Sequence, residues 1–239
     1  MPLVRHFELP SFAELEASGQ TILSLQQATH QDIRELHVGL LNMMPDAALE
    51  VTERQFLRLV GNCNQIAQFY VHPFTLSRLS RSASAADYIA RYYRSFAQVR
   101  EMGLDALIIT GANVTGSRLE EEPFWAELME VASWASQSVT SVMCSCLASH
   151  ALLQHAYGIE RQPLEAKRWG VYAHHRSRLP HPLMRDINTR FDVPHSRWNT
   201  VSTKALEASG VFPLVVDENG EFHLAVSPDG LRVVYSQGH

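Results

Sequence analysis

No run of apolar residues in the sequence approaches the roughly 18 to 20 needed to cross a membrane. The N-terminus, Met1-Pro2-Leu3-Val4-Arg5-His6, lacks the apolar stretch of a secretory signal. No membrane association is therefore expected. Cysteine is scarce: Cys63, Cys144 and Cys146 are the complete set. Two of them are separated by one residue and could close only a small, strained loop, so a disulfide framework is excluded and a reduced, cytoplasmic setting follows. Positive charge is also short, with 20 Lys and Arg against 25 Asp and Glu and a formal charge of −5, which gives no electrostatic footprint for nucleic acid. The 12 histidines form no His-Glu-x-x-His motif, and Cys144-x-Cys146 is a poor zinc signal, so no metal site is expected. Gly111-Ala112-Asn113-Val114-Thr115-Gly116 departs from the dinucleotide-binding fingerprint, and no phosphate-loop lysine follows it. Repeats, low-complexity segments and convincing linkers are lacking as well.

What remains is a chain of 239 residues, 46% hydrophobic and 19% charged, a composition that suits a folded globular protein. Residues 1–35 are mixed, with a short helix expected at Ser11–Glu16, and read as an N-terminal extension over the core. From Leu36 short apolar runs alternate with helical patterns. The runs Leu36–Leu41, Gln65–Val71, Asp105–Thr110 and Val139–Met143 predict buried strands. Helices are predicted over Glu50–Val60, Ala85–Arg100, Pro123–Trp134 and Leu147–His155. This alternation argues an α/β domain over 36–239, with a mostly parallel sheet and helices on both faces. Beyond Tyr157 shorter strands are expected at Gly170–His174, Pro213–Val216, Phe222–Ser227 and Leu231–Ser236. The turn sequences Asp217-Glu218-Asn219-Gly220 and Pro228-Asp229-Gly230 make this end antiparallel.

Ligands of open parallel sheets bind beyond the carboxyl ends of the strands. The fourth run passes through Cys144-Ser145-Cys146-Leu147-Ala148 into a helix, the layout of a nucleophile elbow. Such a turn needs small residues two before and two after the nucleophile, and Cys146 has Cys144 and Ala148 there. The helix N-terminus would lower the Cys146 thiol pKa and supply backbone donors for an oxyanion. On spacing alone Cys146 is equally readable as a small residue buried at a strand end. Cys144, inside the turn, is expected to pack.

Several of these segments together resemble the homoserine O-succinyltransferase family, related to class I glutamine amidotransferases. They are Leu41-Asn42-Met43-Met44-Pro45, Thr52-Glu53-Arg54-Gln55-Phe56, Ile109-Thr110-Gly111-Ala112 and the cysteine elbow with Tyr157-Gly158-Ile159. The likeness continues through Gly170-Val171-Tyr172 with His174-His175, then Pro194-His195-Ser196-Arg197 and Gly238-His239. The resemblance implies a flavodoxin-like fold, a homodimer, and transfer of an acyl group from coenzyme A to the hydroxyl of L-homoserine in methionine biosynthesis. It places Cys146 as the acyl-thioester nucleophile, His239 as general base, and the Leu147 amide as one oxyanion donor, with another from the loop at Gly111–Thr115. Lys167, Ser196 and Arg197 become substrate-binding residues, and Thr115 the position governing choice of acyl donor.

No cofactor is implied, only succinyl-CoA or acetyl-CoA as co-substrate. The resemblance also implies a chain continuing past His239 with Pro-Glu and a downstream arginine. Two departures stand out: Asp46 and Ala47 replace the usual lysines, and Thr115 is neither the glycine associated with succinyl transfer nor the glutamate associated with acetyl transfer. Threonine adds bulk without charge, so succinyl-CoA is the expected donor. The alternatives are an acetyltransferase of the same fold, a glutamine-directed hydrolase using the same elbow, and a non-catalytic ligand-binding relative.

Overall fold

The computed structural model describes residues 3–63, 66–114, 116 and 118–238. The chain folds as two compact units, Met1–Thr140 and Ser141–His239. The first contains β1 (Leu3–Arg5), α1 (Pro10–Ala17), β2 (Ile22–Ser24), α2 (Leu25–Thr29), β3 (Glu35–Leu41), α3 (Leu49–Asn62) and β4 (Gln68–Phe74). It continues with α4 (Ala83–Tyr92), α5 (Phe96–Met102), β5 (Ala106–Ile109) and α6 (Trp125–Ser138). Its strands run in the order β2-β1-β4-β3-β5, all pairings parallel. The residues before 36 are thus built into this sheet through β1, which pairs with both β2 and β4. Leu3, Phe12, Leu15, Leu40, Leu57, Phe69 and Val71 form one buried cluster, so α1 and α3 cover the same sheet residues.

The elements differ from expectation in two instructive places. The second expected strand begins at Gln65, outside the described residues, and β4 runs to Phe74, through Pro73. That proline is tolerated because β1 pairs with β4 only at Leu3–Phe69, leaving the Pro73 side facing away from β3 without a strand partner. The Pro73 carbonyl instead accepts from Arg94 N–H (2.9 Å). That contact explains the second difference: the helix expected over Ala85–Arg100 is two helices, broken at Tyr93–Ser95. Ser95 restarts the chain as an N-cap, its hydroxyl accepting from Gln98 N–H while the Gln98 side chain accepts from Ser95 N–H.

Two of the motif segments have structural work in this unit. Asn42 is buried and donates to Leu49 O (2.9 Å) and Tyr93 Oη (3.0 Å), which fixes the turn after β3. Glu53 is fully buried, accepting from Ser11 Oγ and from Tyr88 Oη (3.2 Å). Burial raises its carboxyl pKa, against the opposing effect of those hydrogen bonds. A raised folded-state value means that Glu53 favours folding below the ordinary carboxylate pKa, and that this is lost as pH rises through the folded value. We expect Glu53→Gln to remove that pH-dependent loss. Urea unfolding of both proteins from acid to neutral pH checks it; parallel pH curves would contradict it.

The second unit contains β6 (Ser141–Ser145), α7 (Leu147–Tyr157), β7 (Gln162–Arg176), β8 (Arg190–Thr200), α8 (Thr203–Ala208), β9 (Phe212–Asp217), β10 (Phe222–Val226) and β11 (Val233–Ser236). Their order is β6-β11-β10-β9-β7-β8; β6–β11 is parallel and the other pairs are antiparallel. The antiparallel C-terminal strands are as expected, but the single short strand at Gly170–His174 is part of the C-terminal half of a 15-residue strand paired with an 11-residue one. Helix α7 ends on Gly158 in the left-handed conformation (φ 66°), with Gly158 N–H donating to Gln154 O and Ile159 N–H to Leu153 O, the capping geometry that accounts for Tyr157-Gly158-Ile159. Among the described residues no helix is long and apolar enough to cross a membrane.

Candidate active site

Strand β6 delivers Cys146 to the turn into α7 with φ 54° and ψ −115°. A positive φ at a residue bearing a Cβ is strained, and such strain persists only where the surroundings impose it. Here they do. Cys146 N–H donates to Ser236 O (2.7 Å), and Ser149 Oγ donates to both Cys144 O (2.9 Å) and Ser236 O (3.0 Å). The elbow is therefore stitched to the end of β11, whose Tyr235 and Ser236 lie beside Cys144 and Ser145. Cys144 is fully buried, whereas Cys146 is only partly covered. The spacing alone left Cys146 open between a nucleophile and a buried strand-end residue and expected Cys144 to pack; the structure buries Cys144 and leaves Cys146 partly exposed.

Electrostatics at the sulfur differ from the expected picture. Burial pushes the Cys146 thiol up, while a hydrogen bond from the Leu147 amide and the positive charge of Arg197 pull it down by less. The expectation of a thiol lowered by the helix N-terminus is therefore corrected: the Leu147 amide acts in the foreseen direction, but desolvation outweighs it. A thiol of this kind must give up its proton to a base to become nucleophilic. His239, cast as that base, lies outside the described residues. So does Thr115, the acyl-donor position, and so does Ser117 of its loop.

The residues leading to His239 are tied to β10. Gln237 N–H donates to His223 O (2.7 Å), and Gly238 N–H donates to His223 Nδ1 (3.0 Å). Because β6 and β11 are parallel, 237–238 emerge at the same end of the sheet as the elbow. Gly238 has no room for a side chain: a Cβ would collide with Val193 Cγ1 and meet His223 Nδ1 at 2.7 Å. That close approach accounts for the glycine of Gly238-His239.

The three substrate-binding candidates divide between the two faces of the β7–β8 hairpin. Arg168 is paired with Arg197 and Trp169 with Ser196, so adjacent residues Ser196 and Arg197 point to opposite sides. Arg197 is 5% exposed and its donors are engaged: Glu221 (2.5 Å), Asn199 O (2.7 Å) and His195 Nδ1 (3.4 Å). Its charge is felt at Cys146. Lys167 lies on the other face, its Nζ 4.5 Å from the centre of the Trp169 ring, beside Ser196 and the exposed Trp169 (70%) and Trp198 (60%). The structure thus groups Arg197 with the nucleophile, and Lys167 with Ser196.

Sequence reasoning missed the residues around Arg197. Arg168 bonds both Asp217 and Glu221, and His195 contacts His174 (3.2 Å between their Nε2 atoms). Burial and the neighbouring arginine charges hold the His195 pKa down to about 3, so this imidazole stays neutral. Nothing in the spacing of Arg168, Asp217 and Glu221 announces the cluster, which only the β7–β9–β10 pairing assembles. Among the described residues no group of three or more His, Cys, Asp or Glu side chains is arranged to hold a metal ion. Asp46, in the first unit, is accounted for structurally. It pairs with Arg81 (3.2 Å) and accepts from Ser82 N–H (2.8 Å), a loop-to-helix contact.

The profile of the homoserine O-succinyltransferase family matches residues 2–239. A homoserine O-succinyltransferase from Methylobacter tundripaludum is 59% identical over all 239 residues, and one from Methylococcus capsulatus is 58% identical over the same span. The chain spans about two thirds of the length of these relatives, 68% and 67% respectively. Among solved structures, a glutamine amidotransferase from Thermotoga maritima matches with a TM-score of 0.51 at 14% identity, covering 88% of this chain and 76% of that one. The glutaminase domain of a Trypanosoma brucei CTPS gives a TM-score of 0.56 at 10% identity, with 85% of each chain covered. At such identities these two show the fold alone, that of class I glutamine amidotransferases.

Proposed function

Because the chain belongs to the homoserine O-succinyltransferase family, we propose that it moves a succinyl group from succinyl-CoA to the hydroxyl of L-homoserine through a thioester on Cys146. The observation that carries this reading is the strained, pinned elbow, which presents one cysteine and buries the other. His239 removes the Cys146 proton, and the thiolate attacks the thioester carbonyl. The tetrahedral oxyanion is met by the Leu147 amide, and its collapse expels the coenzyme A thiolate, which His239 protonates. The homoserine hydroxyl then gives its proton to His239 and attacks the acyl-enzyme, regenerating the thiol. Arg197, held by Glu221, supplies a fixed positive charge to the thiolate side of the reaction. Lys167 and Ser196 act from the other hairpin face and Thr115 on the acyl group.

The chemistry is a thiol's and calls for no cofactor. A cytoplasmic enzyme working as a homodimer completes the reading, and the exposed Trp169, Val171 and Trp198 face is the apolar surface that supports an association of copies.

Incubation with succinyl-CoA or acetyl-CoA followed by intact-protein mass spectrometry tests the proposal. Succinylation of the peptide holding Cys146, discharged by homoserine, is expected. Labelling by glutamine-directed affinity reagents alone would instead mark a hydrolase. A kcat/KM for acetyl-CoA more than about tenfold above that for succinyl-CoA would overturn the succinyl assignment.

A further inference from the structure

The described network around residues 236–238 contains a contact that the chemistry above does not use. His150 is four residues beyond Cys146, one turn along α7, and is buried. Its Nε2 lies 2.8 Å from Gln237 Oε1. The direction of this bond is fixed by the other end of the amide: Gln237 Nε2 donates to Phe222 O (2.9 Å), so Oε1 must be the acceptor and His150 Nε2 carries the hydrogen. Burial holds the His150 pKa down to about 4, which keeps the ring neutral. The Gln237 side chain therefore spans from the nucleophile's own helix to β10, and its backbone N–H is tied to β10 as well.

We propose that His150 and Gln237 are positioning residues for the acyl transfer, a buried clamp that fixes the backbone carrying His239 relative to the Cys146 elbow. The proposal rests on the reading of His239 as the base. A base acts only from a near-attack geometry, and displacement by about 1 Å can cost a hundredfold in rate. Ser236 O already accepts from Cys146 N–H and Ser149 Oγ, and Gln237 N–H donates to His223 O, but these contacts alone leave the chain beyond 237 some freedom to swing relative to α7. The His150–Gln237–Phe222 bridge removes that freedom, and the Gly238–His223 bond continues the restraint to the residue before the base. Neither clamp residue need touch substrate.

The test compares wild type, His150→Phe, His150→Gln and His239→Asn in the full chain with succinyl-CoA and homoserine. Phenylalanine keeps a ring but removes the donor and leaves Gln237 Oε1 without a partner; glutamine restores an N–H donor. A positioning role predicts that His150→Phe lowers kcat about thirtyfold and leaves both KM values within about twofold, since only the transition-state geometry is disturbed. His150→Gln should recover most of the lost rate. Gln237→Asn, which keeps the amide but withdraws it by one methylene, should lower kcat about tenfold and remains informative if His150→Phe does not fold. An unchanged kcat in His150→Phe or Gln237→Asn overturns the clamp, as does a His150→Phe loss that His150→Gln fails to rescue. A His239→Asn enzyme that keeps its rate removes the base reading itself, a failure distinct from an inert clamp beside an inactive His239→Asn.

Discussion

Cys146→Ala should abolish formation of any acyl-enzyme and lower turnover by at least about 10⁴-fold, while leaving the melting temperature close to wild type. The covalent step has no substitute nucleophile in the described elbow: Cys144 is fully buried, and burial drives its thiol pKa strongly upward. Cys146→Ser should be nearly as poor, because a hydroxyl is far less ionisable than a thiol and Cys146 itself already depends on a base. Cys144→Ala should keep most of the activity and cost about 1 kcal/mol of stability through the small cavity it leaves. Peptide mapping after incubation with succinyl-CoA decides the matter: an acyl group on Cys144 would overturn the assignment.

The second large effect concerns stability. Glu221 accepts from Arg168 and Arg197, each at 2.5 Å, and both arginine side chains are largely withdrawn from water. These arginines are register partners on β7 and β8 and face the same side. Removing the shared carboxylate leaves two nearby guanidinium groups with Asp217 as the neighbouring acidic partner of Arg168. Breaking a buried charge network in this way costs about 3 kcal/mol, since the remaining charge is uncompensated. In a chain of this size Glu221→Ala should therefore melt roughly 6 to 12 °C lower. Pairing it with Arg197→Met should return part of the loss, because the unpaired charge is gone. Calorimetry of the single and double variants checks this, and a Glu221→Ala melting point within about 2 °C of wild type would refute it.

How far the sequence foretold the structure depended on how local the causes were. The strands β3, β5 and β6 were legible because buried parallel strands are continuous apolar runs, and the Cys146 elbow because small residues flank it at fixed offsets. The break between α4 and α5 was also written locally, in the Ser95-x-x-Gln98 capping box, but Tyr88, Tyr92 and Phe96 continue an apolar helical stripe across it and hid the interruption. The β7–β8 hairpin was not legible at its true length. Its two faces serve different ends, one burying arginines and histidines against acidic partners and the other exposing tryptophans, so neither strand alternates apolar with polar. The Arg168–Asp217–Glu221–Arg197 cluster and the His150–Gln237 contact join residues about 24 to 87 positions apart, and no spacing rule reaches that far. Site candidates drawn from the family motifs shared this limit: Ser196 and Arg197 are neighbours in sequence, and the pleat sends them to opposite faces.

The positive φ at Cys146 has a consequence for how variants of this protein would fare under selection. A residue held there in a conformation that a Cβ resists carries a strain of about 1 to 3 kcal/mol, and glycine alone would be free of most of it. The substitution that best suits the backbone at position 146 is thus the one that removes the thiol. A variant collection ranked on folding stability alone would enrich glycine at that position, whereas one ranked on succinyl transfer would eliminate it. Opposed rankings at one residue are the mark of a position kept for its chemistry against its conformational preference.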